Sequence, residues 1–406
     1  MAKLRLLTFT TLFPNREQPN HGIFVENRLR HLLASGAVES TVLAPVPWFP
    51  SGSPRFGGWG AYARVPALET RHGVDVHHPR FPVIPRVGMN VLPFMLHRAS
   101  RRALRRLVAG GLRFEAIDAH YLYPDGVAAV RLGAEFGVPV VLTARGSDVT
   151  QFPDYPLPRR LILDAVARAA AVVTVSAGLR AALLGLGVAG EKLTVLRNGV
   201  DTRAFHPVDR VAARAALGLS GPVLISVGGL IERKRHHLTI EALRLLPGFS
   251  LVVVGEGPER ARLTALAERL GLAGRVRLAG AQPHEGLSQY YSAADISVLA
   301  SSREGWANVL LESMACGTPV VASDIPGNAE VVQTRAAGLI VAANTPEGIA
   351  AAVRDLWADL SARAATRAYA EGFGWEETSR GQLELFRSIC AGAARPEGGR
   401  TSPQEG

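Results

Sequence analysis

Several things are scarce in this 406-residue chain, and each scarcity excludes something. The two cysteines, Cys316 and Cys390, are too few for a disulfide framework, so a reducing compartment is expected. Aromatic residues make up 6% of the chain. No basic patch is interleaved with stacking rings, which argues against a nucleic-acid partner. Lysine occurs only at Lys3, Lys192 and Lys234, although Lys and Arg together number 45 and the formal charge is +10. The excess is arginine, as a G+C-rich coding bias would produce, and it suits anionic substrates or an anionic membrane surface. No apolar run approaches the ~20 residues that span a bilayer. The opening "MAKLRLLTFTTLFPNREQPN" has no signal-peptide core or cleavage site, so the expected location is cytoplasmic. There is no Asp-x-Asp pair to suggest a metal site. No early strand carries Gly-x-Gly-x-x-Gly with an acid after it, which counts against a nicotinamide oxidoreductase.

What is present reads as globular α/β. Hydrophobic residues make up 48% and charged residues 20%, and the length suits two domains with separate cores. Short apolar runs alternate with helix-period stretches, the pattern of βα units and parallel sheets. "LRLLTF", "STVLAP", "AIDAH", "PVVLTA", "AVVTVS" and "LTVLRN" form one series of strands. "PVLISVG", "FSLVVVG", "RVRLAG", "DISVLAS", "TPVVAS" and "AGLIVA" form a second. The turn-rich "NGVDTRAFHPVDRVAARAALGLS" separates them, placing a first domain at 1–205 and a second at 206–374. A helix at about 375–392 is expected to pack back on the first domain, and 394–406 is expected to be a disordered tail.

In open α/β sheets ligands bind beyond the carboxyl ends of strands, which selects a short list of polar residues. "PVLISVGG" leads into Glu232, Arg233, Lys234 and Arg235 at the start of a helix. Cations beside free backbone N–H groups suit a diphosphate, although a solvated basic turn has the same pattern. "VVVGEGPER" carries Gly255 and Gly257 in a turn, a weak signal alone. Gly22 lies at the mouth of the first strand, where backbone could approach a phosphate. In "SSREGWANVLLESMACGTPVVAS", Glu304 and Gly305 follow a strand, and Asn308 to Cys316 reads as a helix ended by Gly317. Glu312, eight residues beyond Glu304, falls on nearly the same side at ~100° per residue. Two carboxylates on one cleft wall can accept hydrogen bonds from hydroxyl pairs such as sugars and ribose present.

These stretches, with "VLRNGVDTRAFHP", resemble the family 4 glycosyltransferases, which have the GT-B fold of two facing Rossmann-like domains and retain anomeric configuration. "LFPNREQPNHGIFVENR" and "DAHYLYPDGVAAVRLGAEFGVPVVLTARGSDV" are similar to the subgroup of teichuronic acid, capsule and exopolysaccharide synthesis. The resemblance implies a nucleoside-diphosphate sugar as donor and a glycan or lipid-linked acceptor, with no metal and no cofactor. It implies that Arg233 and Lys234 hold the diphosphate, that Glu304 contacts the transferred sugar, and that Glu312 binds the ribose hydroxyls. Gly305, Trp306, Asn308 and Val309 are implied beside the donor, and Gly22 would admit its phosphates. His120, ending "AIDAH", would contact the donor sugar or orient the acceptor. Arg145 and Asp148 in "ARGSD" are placed on the acceptor side without a role. Ala307 stands where the subgroup usually has proline, and "SDIPGNAEVV" departs from the common pattern around Glu330. A nucleotide-sugar 2-epimerase and a non-catalytic nucleotide-sugar-binding protein remain as alternatives.

One stretch suggests where the protein works. In "VLPFMLHRASRRALRRLVAGG", Leu92, Leu96, Ala99, Leu104 and Leu107 recur at helical spacing, with Arg98, Arg101, Arg102, Arg105 and Arg106 largely opposite. An anionic membrane, on the inner face of the cytoplasmic membrane, would attract such a helix. An ordinary domain helix has the same pattern.

Overall fold

A computed structural model of the chain describes residues 3–83 and 88–393. The expected tail at 394–406, and residues 84–87 ahead of the basic helix, lie outside the described residues.

Ten strands precede the linker: β1 (Leu4–Phe9), β2 (Val38–Leu43), β3 (Val46–Pro47), β4 (Leu68–Arg71), β5 (Val74–His77), β6 (Arg80–Phe81), β7 (Ala116–His120), β8 (Val140–Ala144), β9 (Ala171–Thr174) and β10 (Leu193–Val195). Eight make one sheet in the order β10-β9-β8-β7-β1-β2-β5-β4, and β3 pairs separately with β6. Six more follow: β11 (Val223–Val227), β12 (Ser250–Val254), β13 (Val276–Gly280), β14 (Ile296–Leu299), β15 (Val320–Ser323) and β16 (Gly338–Val341). They form an all-parallel sheet in the order β13-β12-β11-β14-β15-β16. Central strands β7, β8 and β11 are buried at every position, which is why they read as unbroken apolar runs.

Alternation in β1 shows how the first sheet is covered. Leu4 and Leu6 pack with Leu32 of helix Ile23–Ala34 and with Phe386 of helix Glu376–Ala393. Leu7 and Phe9 face the opposite cluster, with Leu96 and Leu104 of helix Gly88–Ala109. The chain therefore returns to the first sheet after leaving the second. The outgoing and returning segments lie together, with Val200 N–H donating to Phe373 O at 2.8 Å.

The basic helix Gly88–Ala109 is an ordinary domain helix in its apolar half: Leu96 and Leu104 are fully buried and Leu92 and Leu107 pack on the same core. Of its arginines, Arg101 and Arg105 pair with Glu135 at 2.8 and 2.6 Å. Arg98, Arg102 and Arg106 point to solvent.

Candidate active site

The two sheets present their carboxyl ends to one cavity of about 740 Å³. Leu12 follows β1, Tyr121 follows β7, and Arg145 to Ser147 follow β8 on the first wall. Gly228 follows β11, Gly255 follows β12, Ala281 follows β13, and Glu304 lies beyond β14 on the second. Each sheet reverses its strand order beside its first strand, at β1/β7 and at β11/β14, where loops diverge and leave a crevice.

Lys234 and Arg233 sit on a short 3-10 turn, Glu232–Lys234, just before helix His236–Ala242. Lys234 Nζ donates to Glu304 Oε1 at 2.6 Å, and Arg233 Nη1 lies 2.9 Å from Glu304 Oε2. Glu304 is 10% exposed. Burial alone would raise its pKa, but the charges of Lys234 and Arg233 outweigh it and hold the carboxylate below its ordinary range. Glu232 and Arg235 do not line the cavity. Glu304 precedes the helix, which spans Asn308–Ala315, so the paired glutamates do not share one helix face. Glu304, Gly305, Trp306, Asn308, Val309 and Glu312 nevertheless all line the cavity. Gly305 is required by packing: a Cβ there would meet Arg145 O at 1.8 Å.

Glu312 has partners that sequence spacing did not reveal. Tyr291 donates its hydroxyl to Oε2 at 3.1 Å, and His284 Nε2 lies 3.4 Å from Oε1. Burial lowers the pKa of His284, but its bond to Glu312 and the charges of Glu312 and Glu285 raise it overall. Phe205 stacks edge-on against the His284 ring at 4.9 Å. Only the sheet order brings His284 and Tyr291 to Glu312.

Three expected site residues stand elsewhere. His120 is 1% exposed and does not line the cavity: Arg145 Nη2 donates to its Nδ1 at 2.8 Å and lies in front of it. Asp148 is fully buried, and its carboxylate accepts from the backbone N–H groups of Leu122, Arg145 and Gly146 at 2.8, 3.0 and 2.6 Å. It shapes the loop that carries Arg145 and does not line the cavity. Gly22 is also off the cavity, with φ +70° and no room for a Cβ, which would lie 2.3 Å from Leu12 C. Its neighbours His21 and Ile23 line the cleft instead.

Glu330 lies outside the cavity and bridges the domains. It accepts from the N–H groups of Ala177 and Gly178 at 2.9 and 2.7 Å, at the start of helix Ala177–Gly185.

Comparison with known proteins agrees with this fold. Residues 210–373 match the model of glycosyl transferases group 1, and residues 23–204 match that of glycosyltransferase family 4. D-inositol 3-phosphate glycosyltransferase 1 of Catenulispora acidiphila is 31% identical over 83% of this chain and 85% of its own length. A Bacillus subtilis protein named for teichuronic acid biosynthesis, TuaC, is 27% identical over 80% of this chain and 82% of its own. Among solved structures, sucrose-phosphate synthase from Thermosynechococcus elongatus superposes with a TM-score of 0.78 at 22% identity, covering 96% and 100% of the two chains. Anabaena HepE in complex with UDP-glucose gives 0.73 at 19%, covering 95% and 99%. Two Rossmann-like domains around one cleft, with a family match on each side of the linker, place the chain in the family 4 glycosyltransferases of GT-B fold, and it is an enzyme of that family.

Proposed function

We propose that this glycosyltransferase moves a sugar from a nucleoside-diphosphate sugar to a glycan or lipid-linked acceptor of the cell surface, with retention of anomeric configuration. The observation that carries this reading is the strand-end cluster of Lys234, Arg233, Glu304 and Glu312 along one wall of the cavity. The distances place both cations on Glu304, so the diphosphate and sugar places adjoin. The HepE structure, with UDP-glucose bound, supports a nucleotide sugar on a fold of this kind.

In this scheme Glu312, fixed by Tyr291 and His284, accepts hydrogen bonds from the ribose hydroxyls. Arg233 and Lys234 bind the diphosphate and stabilise the charge that grows on it as the anomeric C–O bond breaks. Glu304 holds hydroxyls of the transferred sugar. The acceptor oxygen bonds to the anomeric carbon on the face the phosphate leaves, and its proton passes to a phosphate oxygen. Front-face attack accounts for retention without a carboxylate nucleophile. No cofactor takes part, because the two cations supply the charge that a metal supplies in other transferases.

We propose further that the first domain rests on an anionic membrane surface. Support comes from Arg98, Arg102 and Arg106, each contributing about 1 kcal/mol near such a surface. Exposed Trp48, Phe56 and Trp59 belong to the β3 segment and the following helix, and β3 pairs with β6, which packs on the same basic helix. No helix among the described residues is long and apolar enough to cross a membrane.

The test is incubation with a panel of nucleotide sugars, with and without chelator, followed by proton NMR of any product. Nucleotide release that survives chelator, and a product of the donor's anomeric configuration, are expected. An inverted product rejects the front-face scheme, and loss of activity with chelator rejects the metal-free one.

A further inference from the structure

The first-domain wall holds a cation that the scheme above leaves unused. Arg145 lines the cavity yet is 8% exposed. Its Nη2 donates to His120 Nδ1 at 2.8 Å and its Nη1 to Asn198 Oδ1 at 3.2 Å. Neither partner carries a negative charge. Its Nε is buried with no partner among the described residues. Asp118 and Asp148 lie near enough to act on its charge, and Asp118 Oδ1 is buried without a partner, but neither carboxylate pairs with it directly among the described residues. Asp148 is held by three backbone N–H groups, and Asp118 accepts from Gln382 at 2.8 Å and lies 3.5 Å from His120. A second buried guanidinium, Arg28, donates to the same Asn198 oxygen at 3.2 Å and adds to the positive charge. Burial, then the charge of Arg28, pushes the Arg145 pKa down to about 9 against the opposing charges of Asp118 and Asp148, and it stays charged at neutral pH.

Buried charges in proteins are paired, or they are kept for a ligand. An arginine fork fits a planar carboxylate or a phosphate through two parallel bonds. We propose that Arg145, oriented by His120 and Asn198, anchors an oxyanion subsite on the first-domain wall, which takes a phosphate or carboxylate carried by the acceptor. The subsite is distinct from the diphosphate place, because Arg233 and Lys234 stand on the opposite wall and are engaged with Glu304. Asn198 also donates to Asn308 Oδ1 at 3.3 Å, so the subsite is tied to the start of the glutamate helix on the second domain. The assignment to the acceptor rests on the donor reading above.

Calorimetric titration of inorganic phosphate into the full chain saturated with UDP tests it. Phosphate should bind the UDP-saturated protein. Its affinity should fall at least tenfold in Arg145→Gln and stay within twofold of wild type in Lys234→Ala. Arg145→Lys, which keeps the buried charge but loses the fork, serves if the glutamine variant does not fold, and should bind at least threefold more weakly. Acetate competition in the same titration separates the sources: displacement of phosphate marks a site open to carboxylates, and no displacement marks one for phosphate. Loss of phosphate binding on UDP saturation, or equal binding by wild type and both Arg145 variants, overturns the subsite. Failure of UDP, GDP and ADP alike to bind instead overturns the donor reading, and the nucleotide-free titration then still tests Arg145.

Discussion

Lys234 and Glu304 are bonded to each other at 2.6 Å, 70 positions apart in the chain, with 12% and 10% of their side chains exposed. Removing Glu304 leaves Lys234 buried without its partner, a loss of about 3 kcal/mol for a pair this covered, whereas removing Lys234 leaves Glu304 paired with Arg233 and costs less. Glu304→Gln should therefore lower thermal stability more than Lys234→Ala, which should cut turnover by two orders of magnitude or more. Adding Lys234→Ala to Glu304→Gln should restore much of the stability and none of the turnover. Melting curves and steady-state rates on these variants check this, and equal melting of Glu304→Gln and the double variant would show that the pair contributes nothing.

The two glutamates should separate kinetically. Ribose contacts are alike in ground and transition states, so Glu312→Gln should raise KM for the donor with a smaller effect on kcat. Glu304→Gln should do the reverse. His284→Gln, which loosens Glu312 without touching the sugar, should follow Glu312→Gln with roughly a tenfold rise in KM, the scale of one charged hydrogen bond. Identical kinetics for all three would refute the division.

Stability toward acid should depend on His236, beside Lys234. It is 2% exposed, with Nδ1 3.0 Å from Ser226 Oγ and Nε2 3.3 Å from Gly229 O. Burial, reinforced by the charge of Lys234, pushes its pKa down to about 4. The unfolded chain takes up this proton near pH 6.5 and the folded chain only near 4, so stability falls as pH drops through that window. The loss reaches about 3 kcal/mol at its lower edge. His284 has the opposite sign: its raised pKa gives stability present below pH 6.5 and lost as pH climbs through the folded value. Urea unfolding from pH 4 to 8 should show a shallower acid slope in His236→Gln than in wild type, and an unchanged slope would reject the assignment.

Membrane attachment, if electrostatic, should depend on three arginines and not five. Co-sedimentation with anionic vesicles should drop when Arg98, Arg102 and Arg106 become glutamine, and should fall with salt. Changing Arg101 and Arg105, which are spent on Glu135, should matter less. Equal partition onto neutral vesicles would reject the surface.

Much of the fold is legible in the sequence because parallel central strands are apolar on both faces. All twelve runs of Val, Ile and Leu correspond to strands, from "LRLLTF" at β1 to "AGLIVA" at β16. The edge of the first sheet is not legible that way. In "LETRHGVDVH" the half-exposed β4 and β5 carry little apolar signal, although His72 and Gly73, both at positive φ, form the hairpin turn between them. Strand ends located Lys234, Glu304 and Arg145, since βα topology puts such residues at the cleft. It could not say which strand-end residues face inward. His120 ends β7 but is covered by Arg145, and Asp148 is turned back by the N–H groups of its own loop. Partners such as His284, Tyr291 and Gln382 depend on contacts between distant segments, which no spacing encodes.

Gln382 makes the order of synthesis matter. On the last helix, it accepts from Arg28 Nε at 3.0 Å and donates to Asp118 at 2.8 Å. Phe386, four residues further, fills the face of β1 with Leu4 and Leu6. The first domain precedes the second in the chain but cannot be completed until the helix that follows the second has left the ribosome. Until then a buried guanidinium, a buried carboxylate and an apolar sheet face stand open to water, and the nascent first domain is the stretch that chaperones have most reason to hold.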